Sequence, residues 1–281
     1  MIKTDAVWLI TGCSKGLGRA LAQQALKAGY RVVATARQLN DLSDLAKVHN
    51  ENLLSLALDV TCKDQIAATV SAAEAHFGRV DVLVNNAGYG YFSAIEEGED
   101  AEVRAMFETD MFAPVNVIKA VLPGMRKQRG GHIVNISSVG GYVTFPAVGY
   151  YHMAKFALEG MSDTLAKELA PFGIGVTVIA PGAFRTDFRG PSSQQSSIRI
   201  EDYAETAGQA RDKVLAGHGM QQGDPVKGAD AIIAVVEAEY PPLHFLIGGD
   251  GLDQVRAKLA SLHKELDRWE SLTRSTDFSL D

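Results

Sequence analysis

The chain has 281 residues, 46% of them hydrophobic and 22% charged, and 27 basic against 34 acidic residues leave a formal net charge of −7. This is a globular composition that excludes a disordered, collagen-like or disulfide-stapled protein, and the negative balance counts against a nucleic-acid partner. Cys13 and Cys62 are too few for a disulfide framework, and no Cys/His grouping has zinc spacing, so no metal is expected. No apolar run is long enough to cross a bilayer, and Ala6–Ile10 is too short for a signal segment. The expectation is a soluble cytoplasmic protein without a membrane partner.

Short apolar runs alternate with helical patterns along the first two-thirds of the chain. Val7–Thr11 reads as a buried strand closed by Gly12, and 17–27 follows with helical spacing up to Gly29. Tyr30–Thr35 reads as a second strand, and Asp41 beyond it as the cap of the next helix. Further strands are expected at Leu53–Leu58, Val80–Val84, His132–Ile136, Gly175–Ile179 and Leu243–Ile247, with helices over 63–77, 100–129 and 152–170. Strands that are apolar throughout and separated by helix-length segments predict an α/β fold. It would be a single-domain doubly wound parallel sheet of Rossmann type, with helices on both faces and right-handed crossovers. There is no internal repeat. Residues 183–223, which include the run Gly190 to Ser197, carry no clear strand over an unusually long interval; a partly helical lid is the preferred reading over a linker. Residues 252–272 form an amphipathic pattern with Leu259, Leu262, Leu266 and Trp269 on one stripe. That helix could dock on its own domain or on a partner chain.

Between the first strand and first helix lies Thr11-Gly12-Cys13-Ser14-Lys15-Gly16-Leu17-Gly18. A glycine-rich turn at a helix N-terminus lets backbone N–H groups approach a phosphate, and the helix dipole favours the negative charge. The spacing is Gly-x-x-x-Gly-x-Gly rather than Gly-x-Gly-x-x-Gly. NAD-binding chains place an acid at the end of the second strand to hold the ribose 2′-hydroxyl. Here that strand ends Ala34-Thr35-Ala36-Arg37. Arg37, with Lys15 in the glycine turn, suits the extra phosphate of NADP(H) instead.

Tyr151-His152-Met153-Ala154-Lys155 opens a helix, and the i, i+4 spacing puts Tyr151 and Lys155 on one face. His152 points about 100° away, which argues against a catalytic role. Ser138, in Ile136-Ser137-Ser138, follows a strand and so falls at the carboxyl edge of the sheet, where such folds bind ligands. Tyr89, Tyr91, Phe92, Val139, Tyr142, Phe145, Phe184 and Phe188 cluster after strand ends and at the base of the lid. They are the candidates for an apolar substrate pocket. Cys13 reads as a small buried filler.

Taken in order, Thr11-Gly12-x3-Gly16-x-Gly18, Asp59, Asn85-Asn86-Ala87-Gly88, Ser138, Tyr151-x3-Lys155 and Pro181-Gly182 with Thr186 resemble the short-chain dehydrogenase/reductase family. The resemblance runs from residue 7 to about 190, with Gly223-Asp224-Pro225 and Pro241–Gly248 similar to its late elements. It implies a catalytic Ser138, Tyr151 and Lys155. Tyr151 would give a proton in reduction or take one in oxidation. Lys155 would lower the phenol pKa and hold the nicotinamide ribose, and Ser138 would donate to the substrate oxygen. It further implies an NADP(H) site at Gly12, Ser14, Lys15, Gly16, Leu17, Gly18, Arg37, Asp59, Val60, Asn86, Ala87, Gly88, Pro181, Gly182 and Thr186, together with Tyr151 and Lys155. Asp59 would meet the adenine. Where the family often has an Asn holding a relay water, this chain has Asp110, either a substitute acceptor or simply part of a surface helix.

The leading expectation is therefore an NADPH-dependent carbonyl reductase acting on an apolar or aromatic ketone or aldehyde. Oxidation of a secondary alcohol and a non-catalytic NADP-binding sensor are the alternatives. Family members often pair through helices matching 100–129 and 152–170, so a homo-oligomer, a dimer or tetramer, is expected.

Overall fold

A computed structural model of the protein describes residues 5–48, 51–190 and 193–278. In chain order the main elements are β1 (Val7–Ile10), α1 (Gly16–Lys27), β2 (Arg31–Ala36), α2 (Ser43–Val48), β3 (Leu53–Ala57), α3 (Lys63–Phe77), β4 (Val82–Asn85), β5 (Tyr91–Phe92), α4 (Asp100–Phe107), α5 (Ala113–Gln128), β6 (Gly131–Ile136), α6 (Gly149–Leu169), β7 (Ile174–Pro181), β8 (Gln194–Gln195), α7 (Gln209–Ala216), α8 (Pro225–Glu237), β9 (His244–Ile247) and α9 (Gly249–Arg274). Seven strands form one parallel sheet in the order β3-β2-β1-β4-β6-β7-β9. The order reverses beside β1, which pairs with both β2 and β4, and that reversal opens a crevice at the carboxyl ends of the strands.

The apolar runs are continuous because both faces of the sheet are covered. Along β1, Trp8 and Ile10 pack with Leu21 and Ile232 in one core, while Val7 and Leu9 join Val117, Val121 and Met125 in the other. Alternate side chains thus serve alternate layers. Each fully buried large apolar side chain contributes roughly 1.5–3 kcal/mol.

Four local features depart from the sequence expectation. Asp41 does not cap a helix: it lies inside a 3-10 turn, Leu39–Leu42, and its carbonyl accepts from Arg19 at 3.0 Å. The expected single helix over 100–129 is interrupted by a π turn, Glu108–Phe112. Pro114 follows it and has no N–H to offer the Asp110 carbonyl, so a regular α turn is disfavoured there. The interval 183–223 carries the short strand β8, paired with β5, and α7; Pro191 and Ser192 lie outside the described residues. It is tied down by the buried pair Arg211 Nη1–Glu97 Oε2 at 3.2 Å and by the Ile200 N–H donating to Glu97 at 2.9 Å. Finally, α9 touches the body only through its first turns, where Gly251 and Val255 are buried.

His132 on β6 bonds Thr177 at 2.9 Å, and burial pulls its pKa from 6.5 down to about 4. A neutral imidazole held this way stabilises the fold fully above pH 6.5. That contribution falls away as the pH drops toward about 4, because the unfolded chain takes up the proton first. The expected loss across that window is roughly 3 kcal/mol. Thermal melts of wild type and His132→Gln should therefore diverge between those pH values, with the wild type more acid-sensitive; parallel curves would contradict this origin.

Candidate active site

A channel of about 1170 Å³ runs along the carboxyl edge of the sheet. One end lies at the glycine turn and the tip of β2; the other lies where β6, α6 and the 183–223 segment meet.

At the first end the turn is built by cross-strand bonds. Thr11 Oγ1 accepts from the N–H of Asn86 (3.0 Å) and of Ala87 (3.1 Å), and the Asn86 amide donates back to the Thr11 (2.8 Å) and Gly12 (3.1 Å) carbonyls. Gly12 has φ +73°, and a Cβ there would sit 2.9 Å from Ala87 Cα, so glycine is required. Gly12, Ser14, Lys15, Gly16 and Leu17 border the channel, with Asn86, Ala87 and Gly88 opposite. Gly18 does not: it is buried, and a Cβ on it would fall 2.2 Å from the Asn86 amide. Its role is close packing of α1 against β4, a correction to its expected place among the cofactor contacts. The Asn86 side chain is likewise occupied with the turn.

Helix α1 starts without a side-chain cap. Its first-turn N–H groups are therefore free to meet an anion. Arg37 borders the channel just past β2, where no acid stands, and makes no ion pair among the described residues. Lys15 Nζ lies 3.7 Å from Asp187, an exposed pair. Asp59 and Val60 line the wall between. The N–H (2.9 Å) and hydroxyl (2.7 Å) of Thr61 donate to Asp59 and, with Arg37, hold its carboxyl below the usual range.

At the far end Ser138, Tyr151 and Lys155 come together on the channel wall. Ser138 Oγ accepts from the Gly140 N–H at 3.0 Å, which leaves its own hydroxyl hydrogen to donate elsewhere. Tyr151 and Lys155, one turn apart on α6, are both buried, with Lys155 Nζ 5.4 Å from the Tyr151 ring centre. Lys155 Nζ donates to the Ile136 carbonyl at 3.2 Å and lies 3.3 Å from Asp110 Oδ2. Asp110 is no surface residue: the π turn carries it inward, where it is buried and its other oxygen accepts from the Tyr89 N–H at 3.0 Å. Gly88 makes room for it, since a Cβ there would lie 2.9 Å from the carboxylate. Burial raises the Asp110 carboxyl, with Lys155 opposing. Burial depresses the Lys155 ammonium, but Asp110 and Tyr151 more than offset it, so its pKa lies above the ordinary value.

The phenol departs from expectation. Burial raises the Tyr151 pKa by more than the Lys155 charge lowers it, and the Asp110 charge adds to the rise, so the net direction is upward. Lys155 acts in the expected sense but does not dominate.

The wall beyond is apolar. Tyr89, Phe92, Val139, Phe145, Phe184 and Phe188 line it, and the Phe188 ring lies 5.2 Å from that of Tyr151. Two of the expected residues do not. Tyr91 is fully buried against Met106, and Tyr142 turns away, its hydroxyl donating to Glu159 at 2.9 Å and lying 2.7 Å from His244. Pro181, Gly182 and Thr186 close the middle of the channel, with Thr186 Cβ 3.4 Å from where a Gly16 side chain would start. The Cys13 thiol is fully buried and is pushed up to about 12.

The short chain dehydrogenase family model matches residues 6–197. The chain belongs to that family. Over 268 residues it is 38% identical to the oxidoreductase BOA17 of Botryotinia fuckeliana, covering 95% of this chain and 97% of that one. It is 37% identical over 241 residues to a 3-ketodihydrosphingosine reductase of Bacteroides thetaiotaomicron, covering 85% and 87%. The crystal structure of a short-chain dehydrogenase from Streptomyces avermitilis superposes with a TM-score of 0.92 at 41% identity, covering 99% of this chain and all of that one. Solved structures that share the fold hold NAD in some cases and NADP in others. As a short-chain dehydrogenase the protein is an oxidoreductase of a nicotinamide-dependent kind acting on small molecules, and none of its described helices is long and apolar enough to cross a membrane.

The uncapped N-terminus of α1, the side-chain-free turn before it and the length of the channel fit a dinucleotide. Sequence reasoning missed the supports of this dehydrogenase site. His152 is not catalytic but structural: its Nε2 accepts from the Phe145 N–H (2.9 Å) and its Nδ1 lies 2.9 Å from the Gly140 carbonyl, pinning the loop that carries Ser138. Asp250 accepts from the Ala183 N–H at 3.0 Å and steadies the Pro181–Thr186 stretch. Neither has a local sequence signal, because both partners come from distant loops. Ser137, the rival of Ser138, is buried beside Glu159.

Proposed function

We propose that the protein is an NADPH-dependent carbonyl reductase for an apolar or aromatic ketone or aldehyde, with Tyr151 as the proton donor. The observation that carries this reading is the meeting of Ser138, Tyr151 and Lys155 where the apolar wall joins the channel. When bound, the nicotinamide supplies the hydride that goes to the carbonyl carbon. Charge then grows on the oxygen, and a site that stabilises it needs donors aimed at that atom. Ser138 donates one hydrogen bond there. Tyr151 gives its proton to the same oxygen, yielding the alcohol and a phenolate that solvent reprotonates. The raised phenol pKa keeps Tyr151 in its acid form at neutral pH, the state that reduction uses.

Lys155 holds the nicotinamide ribose and offsets the phenolate charge. Asp110 positions Lys155 and keeps it charged. An unchanged pH profile in Asp110→Asn would remove that role. Arg37 and Lys15 hold the 2′-phosphate, while Asp59 and Val60 meet the adenine. The backbone at Asn86–Gly88, Pro181, Gly182 and Thr186 lines the ribose and nicotinamide sections. Residues 183–223 form the lid of a single-domain enzyme. Similarity to a 3-ketodihydrosphingosine reductase over most of the chain supports an apolar ketone.

The test is incubation with NADPH and a panel of apolar ketones and aldehydes. NADPH should be consumed with an equal amount of alcohol formed, and absence of turnover across the panel would overturn the reading.

A further inference from the structure

The exposed apolar stripe of α9 has no partner within the chain. From residue 256 to residue 278 every described residue is exposed, and the stripe residues Leu259 (56%), Leu262 (41%), Leu266 (63%) and Trp269 (54%) lie open to solvent. Single exposed apolar side chains are ordinary, but a contiguous stripe on a projecting helix marks a contact surface. The spacing 252, 255, 259, 262, 266, 269 alternates three and four residues, the repeat that makes two helices pack along a seam. The first members, Leu252 and Val255, turn into the protein's own body, and Val255 is buried there. The seam is therefore continuous with the core and leaves it at Leu259.

The charges beside the seam choose the occupant. The flanking positions are Arg256 and Lys258 toward the body and Glu265 and Glu270 toward the tip, so one helix carries cations at one end and acids at the other. Two copies running in the same direction would set Glu265 of one against Glu270 of the other, and Lys258 against His263, both unfavourable for like charges. Two copies running in opposite directions bring Arg256 of each to Glu270 of the other. In that arrangement Leu259 faces Trp269 and Leu262 faces Leu266, so every exposed member of the stripe finds an apolar neighbour. The three acids Glu265, Asp267 and Glu270 near the tip disfavour an anionic lipid surface as the alternative. In the free chain Glu270 is held only by an exposed pair with Arg274 at 2.8 Å, which an intermolecular partner can replace at little cost.

We propose that α9 pairs with α9 of a second copy of this chain, antiparallel, with Leu259, Leu262, Leu266 and Trp269 as the seam and Arg256–Glu270 as the flanking charge pair. The inference does not depend on the reaction assigned above.

Sedimentation equilibrium of the full chain tests it. Leu262→Glu combined with Leu266→Glu should halve the mass of the assembly while leaving the melting temperature in place, because both positions are exposed and glutamate forms helix nearly as well as leucine. Glu270→Arg alone should weaken association, and adding Arg256→Glu should restore it. Co-sedimentation with phosphatidylserine vesicles should show no binding. A wild-type chain that stays monomeric through the micromolar range, or a mass unchanged by the two glutamates, would overturn the proposal. So would tighter association of Glu270→Arg, failure of the double swap to restore it, or capture of a monomer by the vesicles.

Discussion

Replacing Tyr151 by Phe is expected to lower kcat for ketone reduction by ~10²–10⁴-fold, the usual contribution of a positioned general acid. Binding of NADPH and the melting temperature should change little, because the ring keeps its contacts with Phe188 (5.2 Å) and with Lys155 (5.4 Å) and only the hydroxyl is lost. Steady-state kinetics beside a thermal melt separate the two effects, and retention of most of the wild-type kcat would remove Tyr151 from the chemistry. The pH profile has a definite sign. Reduction uses the protonated phenol, so activity is full below the Tyr151 pKa and falls as the pH rises through it. Burial places that fall above the ordinary phenol range, and Lys155 draws it back down. In Lys155→Met the alkaline limb should therefore move to higher pH as kcat drops, whereas a purely structural lysine would lower kcat and leave the limb where it is.

The second large effect concerns the cofactor. Arg37→Asp should reverse the preference between NADPH and NADH. Loss of a charge-assisted bond to the 2′-phosphate costs roughly 1.5–3 kcal/mol, and the new carboxylate both repels that phosphate and accepts from a 2′-hydroxyl. The kcat/KM for NADPH should fall on the order of a hundredfold, with that for NADH rising. Lys15→Ala should cost less, since Lys15 also stands 3.7 Å from Asp187. An unchanged ratio of the two kcat/KM values in Arg37→Asp would contradict the assignment of Arg37.

Periodicity and glycine placement made much of the fold legible. The helix over 63–77 has those bounds in the structure, the seven sheet strands fall within about two residues of expectation, and the glycine turn meets α1 as expected. What sequence could not show depends on partners far apart along the chain. Asp110 looked like one residue of a continuous helix because its burial comes from Lys155 and Tyr89, while Pro114, the local cause of the widened turn, was legible but unread. Gly18 carries the motif spacing yet serves packing against Asn86, a distinction only the approach of two backbones reveals. Tyr91 and Tyr142 follow strand ends as the pocket residues do, but one is covered by Met106 and the other drawn off by Glu159 and His244. The direction of the Tyr151 shift is set by burial, which a motif does not encode. The stripe on α9 was readable; that its own domain leaves it uncovered was not.

The most direct measurement is turnover of an apolar ketone with NADPH deuterated at both C4 positions, followed by mass spectrometry of the alcohol. One deuterium should appear on the carbinol carbon for each NADPH consumed by the wild type, and Tyr151→Phe should bind the same cofactor but form almost no labelled alcohol. An unlabelled alcohol, or labelled alcohol formed as fast without the Tyr151 hydroxyl, would contradict hydride transfer completed by a proton from that residue.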